Sequence, residues 1–509
     1  MGAIFINQSI IGSPACVMPA RKTLSGWQSG RKARNLKMTN PSENSSLSRK
    51  LGLFTALMVV ICSMIGSGVF KKIAPMAGTL YSSELILFCW LLAGVITLLG
   101  AISYSGLSRI SKEAGGEYQY LKIIYGKFFS FLYGWTAFSV IQSASIASIA
   151  YVFSQSVNNM VHLPGFSASI ANISFLGYIF PFDNIGVKTI AILAIILITA
   201  INYFGVQYGG FTVNFFTIAK IIGVLLLLGI CFGSGIGGSS NFHQPSQHIS
   251  EINNLNFWKL TSIVFAAMLS AFWAFDGWVN ITFLAGEVKN PRRNLPISII
   301  GGVLIVTAFY LIVNYAYLYV MPVDSYVGMV QNQNSIAAAE VTKTVMGPAG
   351  FIIISVLILV STFGTTNSSV MSSSRIYYAM SKEGLFFRSV ANVHPKYKTP
   401  HKALMIQCIW ACLLVISGTF DRLTDMLIFA AFIFYGTGAF GLFILKIKDK
   451  YKEKIFGYPL IPALFVIFCI VLVVSSFVER PVESLIGIGL ILTGIPFYFY
   501  WKIKTDKLK

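Results

Sequence analysis

Charge is what this chain has least of. Asp, Glu, Lys and Arg make up 11% of its 509 residues, where a soluble chain carries about a quarter. That scarcity excludes an ordinary soluble domain. Histidine is scarcer still: five residues, at 162, 243, 248, 394 and 401, all in polar stretches or at the ends of apolar ones. No metal-ligand spacing emerges from them, and no cofactor is expected. With no histidine inside an apolar run and no nucleophile–base pair in view, catalysis is not expected either. Of the seven cysteines, Cys16 precedes the first apolar run, while Cys62, Cys89, Cys231, Cys408, Cys412 and Cys469 lie within such runs. They read as small hydrophobes. None falls in an external loop, so no disulfide-linked heavy chain is expected.

Apolar residues fill the space that charge leaves: 55% of the chain, with a mean hydropathy of +0.72. Runs long enough to span a bilayer fall near 51–77, 82–108, 128–157, 187–204, 209–235 and 261–286. Six more fall near 297–321, 348–373, 403–419, 423–445, 459–478 and 482–501. The expectation is an all-α, twelve-helix membrane protein. Its net charge of +20 suggests nucleic acid until its distribution is followed. With the N-terminus inside, 8 of the 38 Lys and Arg precede residue 51 and 22 lie in loops and tail on the same side. Only 7 lie on the other, and Lys220 stays in the membrane. That asymmetry places both termini in the cytoplasm, and no nucleic-acid partner is expected.

Two of the runs are interrupted. The first, LGLFTALMVVICSMIGSGVFKKIAPMAG, meets Gly66-Ser67-Gly68 at mid-depth; the sixth, AAMLSAFWAFDGWVNITFLAGEVKNPRRNLP, meets Asp276-Gly277, with Asn280 one turn on. Lipid offers no hydrogen-bond partner, so a spanning helix normally satisfies every backbone group internally. Glycines also allow close helix packing, but a broken helix whose freed backbone binds a substrate is the sharper reading. Lys220, in the fifth run, lies about eleven residues from the nearer end, roughly 16 Å at helical rise. Its stem is too short to snorkel, so it marks a functional site with a partner. Asp276 is equally costly in lipid. A structural salt bridge between the two is the alternative. The eighth run offers a polar stripe, Ser361-Thr362 through Asn367-Ser368, suited to a buried ammonium.

The broken runs open two sets of five: 51–235 and 261–446. An odd number per set makes the halves antiparallel, which predicts an inverted five-plus-five repeat. Residues 459–501 add the eleventh and twelfth helices, and 502–509 form a cytoplasmic tail. Residues 1–50 are basic, polar and expected to be disordered; a start at Met38 is a second reading.

The stretches MIGSGVF (64–70), AGGEYQYL (114–121), FTIAK (216–220), AFDGW…GEVKNPRRNLP (274–296), STFGTTNSSVMSSSR (361–375) and FYGTGAFGLFILK (434–446) carry a resemblance. In this order the chain resembles the amino acid–polyamine–organocation superfamily, close to bacterial L-type amino-acid transporters. The resemblance implies a LeuT-type fold and a permease that moves L-amino acids by alternating access, as proton symporter or exchanger, independent of sodium. It implies a substrate site at Met64, Ile65, Gly66, Ser67 and Gly68, facing Trp273, Ala274, Phe275, Asp276 and Gly277. The Ser67 and Gly68 amides would take the substrate carboxylate, and carbonyls near Met64 and Trp273 its α-ammonium. Trp273 would gate the site, and Lys220 would replace a sodium ion, tied to Ser361 or Thr362. Many L-type relatives carry a small or neutral residue where Asp276 stands, and some that accept cations carry aspartate. Asp276 is therefore expected to widen acceptance toward lysine or arginine. A bacterial inner membrane is the expected location. A polyamine or organic-cation transporter of the same fold is the alternative, since Asp276 alone would hold an amine.

Overall fold

The structure is a computed structural model that describes residues 49–175, 179–330, 336–417, 420–449, 451 and 453–506. The tail expected over 1–50 lies outside the described residues except for Arg49 and Lys50. Helices dominate, and among the described residues the only β pairing is two isolated bridges. Among the described residues eleven helices are long and apolar enough to cross a membrane.

In chain order, α1 runs over Leu53–Met64 and resumes at Gly68–Lys71, leading into Ile73–Leu80. Then come α2 (Ser83–Leu107), α3 (Lys127–Met160), α4 (Ile185–Tyr203) and α5 (Val206–Gly233). Next, α6 runs over Phe257–Phe275, and a further turn follows at Asn280–Phe283. The second half continues with α7 (Pro291–Val320), α8 (Ala337–Lys382) and α9 (His401–Ser417). It ends with α10 (Phe420–Ile447), α11 (Leu460–Glu479) and α12 (Pro481–Asp506). The ninth expected span is the shortest, an apolar helix of 17 residues, and the boundary expected near 419 falls at residues outside those described. In α8, Gly347 leaves helical geometry at φ 63° just before Pro348, so the apolar span starts beyond a kink, where the sequence places it. A π-turn at Ala137–Ile141 interrupts α3 ahead of its small polar residues; such turns widen a helix locally.

Both expected breaks are present. Ile65 leaves α1 with ψ 84°, and Asp276 ends α6 in an extended conformation with ψ 153°. Gly277 follows at φ +97°, a left-handed value that a side chain disfavours. In the first break the glycines serve a different need. A Cβ on Gly68 would sit 2.5 Å from the Cβ and 2.6 Å from the Cα of Ala274; one on Gly277 would sit 2.9 Å from Ser63. Each broken helix thus carries a glycine where the other comes closest. The demand at Gly68 is for space, the close helix packing that glycine also allows.

At the end of the bundle where the chain enters α1, the same two helices are tied again. The amides of Lys50 and Leu51 donate to the Glu287 carbonyl at 2.9 and 3.0 Å, and Lys289 returns a bond to Leu51 at 2.8 Å. The Glu287 carboxylate meets the Arg375 guanidinium of α8 at 2.8 Å, with both side chains 1% exposed. Beside them, the Gly115 amide donates to the Phe283 carbonyl at 3.0 Å.

Candidate functional site between the two broken helices

Where the breaks face each other they line a small, nearly closed cavity. Seven of the residues expected there line it: Met64, Gly66, Ser67, Gly68, Trp273, Asp276 and Gly277. Three do not. Ile65 aims its carbonyl at α5, Ala274 packs on Gly68, and the Phe275 ring turns away to meet Tyr310 edge-on at 5.0 Å. The remaining wall is polar: Ser63, Ser145, Asn280, Thr365 and Ser369, with Ile149 the one apolar addition. Among these, Asn280 and Ser145 stand out in the sequence. Ser63, Thr365 and Ser369 do not.

The cavity is chemically two-ended. On one side the resumed half of α1 begins at Gly68, where the first amides of a helix have no intrahelical acceptor and the dipole is positive. The Ser67 hydroxyl beside them is buried and has no hydrogen-bond partner among the described residues. On the other side stands the Asp276 carboxylate, which accepts a bond from the Tyr435 hydroxyl at 2.9 Å. Within 271–280 Asp276 is the one residue that is not fully buried. An anion acceptor and an anion therefore lie across one small space.

Lys220 sits behind the break in α1 and is fully buried. Its ammonium donates to the carbonyls of Cys62 at 3.0 Å and Ile65 at 2.6 Å, and to the Thr365 hydroxyl at 2.9 Å. Those carbonyls lie in the last turn of α1's first half and just past its end, where a helix leaves its carbonyls without intrahelical donors. A cation there also matches the negative end of the helix dipole. The three N–H bonds of the ammonium are all used. Lys220 and Asp276 do not pair, so the salt bridge considered from the sequence is not formed. The hydroxyl that meets the lysine differs from expectation as well. Thr362 turns back to the Ile358 carbonyl in its own helix at 2.6 Å, and Ser361 shares the Ile65 carbonyl at 3.1 Å without being the lysine's acceptor. Thr365 takes that place. Among the described residues no His, Cys, Asp and Glu gather as a metal site.

Comparison with known proteins bears on this geometry. A family model described as amino acid permease matches residues 51–500. The chain is 32% identical to the serine/threonine exchanger SteT of Bacillus subtilis (strain 168) over 468 residues, 91% of this chain and 98% of the relative. It is 28% identical to the b(0,+)-type amino acid transporter 1 of Homo sapiens over 462 residues, covering 90% and 88%. It is also 28% identical to the large neutral amino acids transporter small subunit 2 of Mus musculus over 463 residues, covering 90% and 82%.

Proposed function

Since the chain belongs to the amino acid permease family, we propose that it exchanges one L-amino acid for another across the membrane without sodium. The observation that carries this reading is the place of Lys220. A fixed cation already holds the carbonyls freed by the break in α1, so a mobile sodium ion has no vacant role there. Exchange is favoured over proton symport because each N–H of Lys220 is engaged, and losing a proton would give up one of these bonds. A relative named as an exchanger supports the same choice.

In this reading the substrate lies between the breaks. The Ser67 and Gly68 amides and the Ser67 hydroxyl take its carboxylate. Carbonyls near Met64 and Trp273 take its α-ammonium, and the Trp273 ring covers it. Asp276 faces the side chain and admits a cationic one. A polyamine carrier would need no carboxylate acceptor; an unpartnered Ser67 hydroxyl opposite Asp276 favours a substrate bearing both groups. Alternating access rocks α1 and α6 against the remaining helices around this site. The Glu287–Arg375 pair closes the cytoplasmic side, where both termini lie. Proteoliposomes test the proposal. Uptake of labelled serine and arginine that requires amino acid inside and ignores an imposed proton gradient is expected; gradient-driven uptake into empty vesicles would replace exchange with proton symport.

A further inference from the structure

One hydroxyl touches both broken helices. Tyr310, on α7, places its Oη 2.6 Å from the Met64 carbonyl and 2.8 Å from the Ala274 carbonyl. Met64 is the last residue of α1 before its break, and Ala274 is the last but one of α6 before its own. Both carbonyls are thus orphans of a helix end. The tyrosine is 1% exposed. Its ring is wedged edge-on against Trp90 at 5.3 Å and Phe275 at 5.0 Å, so the hydroxyl has little freedom to swing.

A phenol has a single hydrogen. Tyr310 therefore serves two acceptors with one donor, and each carbonyl keeps at least one lone pair free. A primary ammonium brings three donors. We propose that Tyr310 is a positioning residue for the α-amino end of the substrate. It holds the two helix ends at one spacing and so sets the carbonyl of Met64, which lines the cavity, in place for an α-ammonium entering between the breaks. A substrate without that ammonium gains nothing from the arrangement. This inference rests on the breaks being the substrate site.

The test is Tyr310→Phe in the full chain, reconstituted and assayed for exchange of serine, leucine and arginine. The ring and its packing remain, and only the hydroxyl is lost. KM is expected to rise about tenfold for all three substrates alike, the order of one lost hydrogen bond near charge, with the maximal rate within about twofold. Inhibition by the α-hydroxy acid analogue of leucine, which has no ammonium, is expected to be unchanged. A merely structural tyrosine would instead lower the maximal rate with KM fixed, or weaken the hydroxy acid equally, and either result overturns the proposal. Gly68→Ala separates the two levels. If it leaves KM unaltered, the site reading itself fails; if it acts and Tyr310→Phe does not, only the role of Tyr310 fails. Should Tyr310→Phe not fold, 3-fluorotyrosine at 310 keeps the shape and makes the hydroxyl a stronger donor. A KM shift for amino acids alone is then expected, and no shift overturns the proposal.

Discussion

The ammonium of Lys220 lies 2.6 Å from the carbonyl oxygen of Ile65, the first residue past the end of α1's first half. The contact joins α5 to the break and supplies a positive charge where the backbone presents acceptors that the helix itself does not use. It turns a gap in a helix into a settled structure.

Replacing Lys220 with Met removes the charge and keeps most of the stem. The carbonyls of Cys62 and Ile65 then keep only the hydroxyls of Ser361 and Thr365 as donors, and the lost bonds to a charged donor are worth about 1.5–3 kcal/mol each. Exchange is expected to fall by at least about tenfold, with a lower unfolding temperature in detergent. Rates near wild type would show that the lysine fills space and nothing more.

Gly68→Ala directs a methyl group at backbone: the Cα of Ala274 would be 2.6 Å away. Neither helix can yield by moving a flexible side chain. Gly66→Ala meets only the Thr365 side chain at 3.1 Å, a few tenths of an ångström of adjustment. Exchange by the first variant is expected to drop about tenfold or more, by the second only about two- to threefold, on the usual cost of overpacking. Equal effects would mean that the breaks do not meet as closely as described.

Asp276→Asn keeps the size of the side chain and a partner for Tyr435 but removes the negative charge. A charge-assisted hydrogen bond to a substrate's cationic end is worth about 1.5–3 kcal/mol. Arginine is expected to lose about tenfold or more in apparent affinity, and leucine less than about twofold. A loss shared by both would detach Asp276 from side-chain selection.

Arg375→Ala strands the Glu287 carboxylate in a site where both partners are 1% exposed. Breaking such a pair from one side costs about 3–5 kcal/mol. The double replacement Arg375→Met with Glu287→Gln leaves no buried charge and is expected to unfold at a higher temperature than the single variant. The order of the two melting temperatures is the readout.

The breaks, the segment order and the two intramembrane charges were legible because glycine, lysine and aspartate stand out against an apolar background. Rotation about a helix axis was harder to read. In STFGTTNSS nearly every position is polar, so type alone did not say which hydroxyl faces Lys220. Ser361 and Thr362 lie four and three residues before Thr365 and so both neighbour it on the helix surface, and spacing did not separate them either. Tyr310 and Tyr435 carried no signal at all. Each is one aromatic among many in an apolar run, and its hydroxyl is significant only for the distant backbone or carboxylate it reaches. The need for glycine at 68 was of the same kind, since it is set by Ala274 about two hundred residues further on.

The most direct measurement of the account is the rate of labelled serine exchange in preloaded proteoliposomes as sodium is replaced by choline on both sides. With Lys220 filling the place of a coupling cation, the rate should be the same at every sodium concentration. A rate that rises with sodium and saturates would mean that a cation site exists elsewhere and that Lys220 does not take its place.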